Sequence, residues 1–223
     1  GTLVEHPMAV LKALKQSPGA LWRNPVLLVP ILVLVLFQAP MFATEFIDPI
    51  LAAVLSVGFS LVFVVLMPLF QGGIIGMAEE ALSGKTSLRT FFGAGKSNYI
   101  SIFGAYLLIL AINVVIWFGF VLFMFFGVGA AYLSGDGTSA APILVVAGGG
   151  LLLALLFFLF IFFIQFYSQA IVLDGVGAID GIKRSYSVVR SNLLATFGYS
   201  ILVGIIGGIF GLFISVISIL ASP

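Results

Sequence analysis

An all-α integral membrane protein is the fold class this sequence predicts, and three observations predict it. Hydrophobic residues make up 62% of the 223 and charged residues 8%, whereas soluble domains run about 45–50% apolar; the mean hydropathy is +1.30. Too few polar residues remain to cover a surface facing water. Five segments then approach or exceed the roughly 20 apolar residues that cross ~30 Å of hydrocarbon: about 25–42, 50–77, 99–133, 142–173 and 193–220. Runs such as "LLLALLFFLFIFFI" do not alternate as barrel strands must. Finally, the cations are confined to alternate connections. The expectation is one transmembrane domain, 1–223, with five visible spans and short amphipathic interfacial helices on the basic side.

Each element has its own warrant. Before the first span, "MAVLKALKQ" predicts an interfacial helix over 7–17, with Pro7 in its first turn. The lone His6 is expected to be solvated, because one imidazole builds no metal site. "QAPMFATE" lacks the small-x-small pattern of a signal cleavage site, so the first apolar run reads as a retained span. Gly1 is not a native start residue, and the chain is expected to be a processed or trimmed product. In the second span, Pro68 with Gly72, Gly73 and Gly76 predicts a break. Several spans exceed the bilayer and must tilt, break or project. The inner connections 79–98 and 174–192 read as amphipathic. In the latter, Ile179, Ile182, Tyr186 and Val189 recur at three and four residues and suggest a membrane-facing stripe.

Charge placement sets the topology. Lys12, Lys15 and Arg23 precede the first span; Lys85, Arg89 and Lys96 come after the second; Lys183, Arg184 and Arg190 come after the fourth. The other connections hold Glu45, Asp48 and Asp136 with no cation. The positive-inside rule therefore predicts a multi-pass protein of the cytoplasmic membrane with its N-terminus in the cytoplasm. A further regularity is that each basic segment closes on a basic residue and an Asn, in "WRNP", "GKSNY" and "VRSNL". Asn24, Asn98 and Asn192 are expected to cap the helices after them. This suggests a repeated unit of interfacial helix, cap, outward span and inward span.

The stretch "FFIQFYSQAIVLDGVGAIDGIKRSYSVVRSNLLATFGYS", with "NPVLLVPILVLVL", "MPLFQGGIIGMAEEALSGKTSL" and "GKSNYISIFGAYLL", resembles a poorly characterised polytopic membrane-protein family of halophilic archaea. That family is related to the membrane domain attached to some glycerophosphodiester phosphodiesterases. Its "RS…N" segment between two spans matches Arg184, Ser185 and Asn192. The resemblance implies about six spans, with the sixth truncated after "SILASP". It implies no activity, and the catalytic domain of the phosphodiesterases has no counterpart here.

Residue chemistry narrows function by exclusion. There is no Cys for thiolate metal sites or disulfides, no nucleophile–His pairing, no HExxH, and no complete phosphate loop around "GAGKS". No ionisable residue is placed at mid-membrane, where a coupled transporter would keep one. Uncharged polar residues do occur within spans. Gln71, Asn113, Gln165 and Gln169 form a candidate intramembrane polar site, with Gln165 and Gln169 expected on one helix face. The alternative for these residues is plain interhelical hydrogen bonding. Arg23, Lys96, Lys183, Arg184 and Arg190 are candidate contacts for lipid headgroups or a partner. Gly72 with Gly76, Gly204 with Gly208, and Gly207 with Gly211 fit small-xxx-small helix packing. The reading is a non-enzymatic scaffold or accessory subunit, with membrane lipids and a second copy or another membrane subunit as partners. It has no cofactor and no nucleic acid. The alternative is a transporter or channel for a small or lipid-like substrate. The phenylalanine-rich runs face acyl chains or a hydrophobic ligand such as an isoprenoid.

Overall fold

The computed structural model describes residues 16–43, 48–133 and 141–221. Among them every regular element is helical. Residues 16–23 form α1; a 3-10 turn, Pro25–Leu27, leads into α2, Leu28–Ala43. The remaining helices are α3, Pro49–Ser83; α4, Leu88–Leu133; α5, Ala141–Ile164; α6, Tyr167–Asp174; α7, Ala178–Ser191; and α8, Leu193–Ala221. Four helical stretches are long and apolar enough to cross a membrane, and a fifth if the bent pair α1–α2 counts as one.

The first corner departs from expectation. Residues 7–15 of the expected interfacial helix lie outside the described residues; helix is described from 16 through Arg23, past the expected end at 17. It then turns by 94° into the first span. Asn24 sits at the corner, 2% exposed, and its side chain does not cap the 3-10 turn after it. Its Nδ2 donates to the carbonyls of Ala20 (3.1 Å) and Gly84 (3.0 Å), and its Oδ1 accepts from the Thr86 N–H (2.9 Å). One amide thereby ties α1 to the short turn between α3 and α4. Glu80 reinforces that turn by accepting from the Thr86 hydroxyl.

The expected break in the second span does not occur; α3 runs unbroken for 35 residues through Pro68. Proline removes one ladder donor and crowds the preceding turn. The carbonyl this leaves without its ladder donor is that of Val64; beside it, the Tyr99 hydroxyl of α4 donates to the Val65 carbonyl at 2.7 Å and fastens α4 to this turn. The nearby glycines serve close approach instead of bending. A Cβ on Gly72 would lie 3.2 Å from the Ala94 carbonyl oxygen and the Gly95 Cα, and one on Gly73 would run into Phe91. Gly76 abuts Ala94 in the same way. The expected inner loop 79–98 is therefore the end of α3, a tight turn and the first turns of a 46-residue α4. Asn98 lies inside α4, its Nδ2 bonded back to Ala94 O, so it caps nothing.

The buried residues collect at one end. Phe70, Met77 and Phe91 form one cluster, with Val26, Leu27 and Leu34 against it. Ile102, Ala105 and Ile171 form another, covered by Tyr167, Ala178 and Ile182. The connections that carry Lys85, Arg89, Lys183, Arg184 and Arg190 lie at this same end. The far halves of α2, α3, α5 and α8 are mostly exposed. Total accessible surface is 15227 Å², about half as much again as the ~9,800 Å² of a soluble monomer of this mass.

Gly73→Ala is expected to lower thermal stability in mild detergent by about 1–3 kcal/mol, because Phe91 must move. Gly93→Ala, on α4 with open space around it, should leave the melting temperature unchanged or slightly raised.

Candidate functional site

The most polar intramembrane region surrounds a break in the fourth span. The sequence reads as one continuous helix here, with no Pro or Gly between residues 151 and 174. The structure instead interrupts it at Gln165–Phe166, between α5 and α6. Gln165 therefore lies in the interruption and Gln169 on α6, so their spacing of four does not fall within one unbroken helix.

The cause lies on α7. Ser185 is 0% exposed, and its hydroxyl donates to the Phe163 carbonyl (2.8 Å) while accepting the Phe166 N–H (3.1 Å). A side chain inserted into the i→i−4 ladder breaks a helix without any proline. The Phe162 carbonyl is met by Gln165 Nε2 at 2.9 Å. Gln165 Nε2 also donates at 3.2 Å to the Ser200 hydroxyl of α8, whose one proton goes to Thr196 O at 2.9 Å. On the other side, the Tyr167 hydroxyl donates to Gln71 Oε1 of α3 at 3.3 Å. The backbone groups at the break are thus taken up by Ser185 of α7 and by Gln165 itself, while Gln165 and Tyr167 tie the segment to α8 and α3.

α7 reaches the break because one of its faces is small. Gly181, Ser185 and Val189 recur every four residues and are the buried ones. A Cβ on Gly181 would overlap Ile171 and lie 3.2 Å from the Tyr167 carbonyl oxygen. Ala178 meets α4 near Gly104. The helix therefore lies across α4, α6 and the end of α5 in turn. The expected membrane-facing stripe is divided: Val189 is buried and Ile182 packs against the Ile102 cluster, while Ile179 and Tyr186 stay outward, 60% and 47% exposed. Gly175, with φ 65°, allows the left-handed residue that ends α6. Arg184 Nε then pairs with Asp174 Oδ2 across the turn at 3.0 Å. Asn192 closes α7 through Val188 O instead of capping α8. Asn24, Asn98 and Asn192 each bond the carbonyl four residues back, and so does Asn113 to Ile109.

The predicted polar set is thus only partly brought together. Gln71 and Gln165 belong to the seam around the break, although they bond different partners. Gln169 accepts from its neighbour Ser168. Asn113 stands apart on α4, its buried Oδ1 without a hydrogen-bond partner. Sequence reasoning misses Ser185 and Ser200 as seam residues, and Asn24 as the tie at the first corner. The signal available for Ser185 is its place with Gly181 and Val189 on one face of an amphipathic helix. The seam's groups are amides and hydroxyls engaged with each other, a pattern suited to holding helices.

The predicted cations lie at the packed end. Arg23 lines a crevice of about 670 Å³ with Gln16 and the 87% exposed Trp22. Lys96 is exposed on α4, near a cleft of about 530 Å³ lined by Glu79, Glu80, Thr90, Ser97 and Asn98. Lys183 borders an apolar groove of about 500 Å³ between α5 and α7. Arg190 is exposed in the last turn of α7. Gly72 and Gly76 pack against α4 as expected. Among the described residues nothing lies within 4 Å of a Cβ built on Gly204, Gly207, Gly208 or Gly211.

Ser185→Ala strands a buried carbonyl and a buried N–H, each worth about 1–3 kcal/mol. It should lower unfolding stability by roughly 2–4 kcal/mol in detergent. Ser187→Ala, exposed on the same helix, should do so by less than about 0.5 kcal/mol.

No curated protein and no solved structure matches the chain. The family model described as "Domain of unknown function (DUF7847)" matches residues 8–223. By that match over nearly its whole length, the chain belongs to this family of unknown function.

Proposed function

We propose that the protein is a non-enzymatic scaffold or accessory subunit of the cytoplasmic membrane, with its N-terminus in the cytoplasm. It holds lipid at its basic end and joins a second copy or another membrane protein through α8. The observation that carries this reading is the face of α8 bearing Thr196, Ser200, Gly204, Gly207 and Gly211. At 100° per residue these five fall within about 80° of one another. The inner part is engaged: Thr196 is buried and Ser200 is bonded to Gln165. The three glycines farther along the same face have open space before them. Small residues on a membrane helix let a second backbone approach closely. The glycines of α3 do that within the chain, and those of α8 have a partner to supply.

The transporter alternative draws less support. The glutamines that would form its pathway are bonded to Tyr167, Ser200 and Ser168.

The chain has no native Cys, which makes single-cysteine probes clean. Oxidation of Gly204→Cys or Gly211→Cys in native membranes is expected to give a disulfide-linked dimer, or a mixed species if the partner differs. Gly207→Leu should abolish the association while leaving the melting temperature of the isolated chain unchanged. Only monomers throughout, indifferent to Gly207→Leu, would overturn the α8 reading. For topology, Arg89→Cys and Ser187→Cys should resist an impermeant maleimide applied outside intact cells and react after permeabilisation. Labelling before permeabilisation would reverse the orientation.

A further inference from the structure

We propose that the groove between α5 and α7 is a site for one anionic glycerophospholipid, its acyl chain against α5 and its phosphate on Lys183. The inference deepens the lipid-binding half of the proposed function and rests on it. The groove arises from the way α7 is seated. Ser185 draws α7 onto the break, and Tyr186, one residue on, stands beside Phe163 with ring centroids 5.1 Å apart and planes at 42°. Between the crossing helices remains a space of about 500 Å³, within the ~300–1,000 Å³ usual for ligand sites. Its walls are Leu156, Phe160 and Phe163 of α5 and Ile182 and Tyr186 of α7, with Lys183 at the edge. Leu156, Phe160 and Phe163 recur at four and three residues, so they form one continuous apolar strip ~10 Å long up α5.

The ends of the groove differ chemically, and that difference selects the occupant. Leu156 is at the membrane end, where an acyl chain replaces bilayer neighbours at little cost. Lys183 is at the basic end. The adjacent Arg184 is held by Asp174, whereas Lys183 makes no ion pair among the described residues. The Tyr186 hydroxyl makes no hydrogen bond among them either. A flexible ammonium is a point-charge partner for a phosphate, and a lysine at a helix surface extends its head to the headgroup layer. A phenolic donor one turn away adds a second contact. An apolar strip ending in an unpaired cation and a hydroxyl donor matches a phosphate carrying a hydrocarbon chain. It does not match a zwitterionic headgroup as well, since the choline or amine would offset the charge.

The test uses the full chain in mild detergent, with phosphatidylglycerol and phosphatidylcholine of identical acyl chains, read by native mass spectrometry and by melting temperature. One phosphatidylglycerol per chain should be retained and should raise the melting temperature; phosphatidylcholine should do neither. Lys183→Gln should weaken retention about fivefold, the effect of one cation near anionic headgroups, with Lys85→Gln, exposed and outside the groove lining, as the unaffected control. Leu156→Trp, at a position 52% exposed, should fill the groove and remove the bound lipid. Equal retention of both lipids, or retention indifferent to both Lys183→Gln and Leu156→Trp, would overturn the proposal. So would a dimer blocked by Leu156→Trp with no lipid bound, because the groove would then hold a second copy. Gly207→Leu should keep the lipid while losing association, which separates this site from the α8 interface.

Discussion

Hydrocarbon offers no hydrogen bonds, so any backbone group released from a helix inside a membrane must find its partner in the protein. The hydroxyl of Ser185 meets that constraint at Gln165–Phe166, and much of the structure is arranged around it. It serves as acceptor for Phe166 N–H and donor to Phe163 O. To bring it there, α7 must lie against α5 and α6, which requires the small face of Gly181 and the sharp return at Gly175. The same seating leaves Tyr186 and Lys183 beside the lower end of α5. It also sends the chain into α8 where Ser200 meets Gln165.

A second interaction of the same kind holds the other half. Asn24 uses both ends of its amide to fasten the bend before the first span to the turn between α3 and α4. Around these two polar fixtures lie the two buried apolar clusters, while Gly72, Gly73 and Gly76 bring α3 and α4 close enough for backbone contact. In lipid there is no hydrophobic drive to press apolar helices together, so close packing and buried hydrogen bonds decide which faces associate. They are concentrated here at the basic end. Away from it the helices present leucine, valine, isoleucine and phenylalanine to their surroundings, as a bilayer permits and water would not.

That division of labour bears on function. The packed end is rigidly specified and carries the cations. The α8 glycines beyond it meet nothing among the described residues. A polar seam whose amides and hydroxyls are bonded to one another suits architecture more than passage.

The sequence by itself determined the class of fold, because 62% hydrophobic composition and non-alternating apolar runs admit few alternatives to membrane helices. Segment length also marked the apolar stretches that became helices, though not where those helices begin and end, and the spacing of Gly72 and Gly76 marked a packing face. It placed Gln71, Gln165 and the lysines and arginines as the residues to examine, because polar groups in an apolar chain stand out. Where sequence and structure part, one physical source is common. By local rules Pro68 signals a break, Asn24, Asn98 and Asn192 signal caps, and Ile179, Val189 and Tyr186 form one membrane-facing stripe. Several of these rules are overridden by a partner far away in sequence: Tyr99 reaching Val65, Thr86 and Gly84 meeting Asn24, Ser185 entering a helix 19 residues earlier. Only the tertiary structure decided these matters. In a low-dielectric interior the cost of an unpaired backbone group exceeds any local propensity, and which side chain arrives to pair it depends on how the helices are brought together.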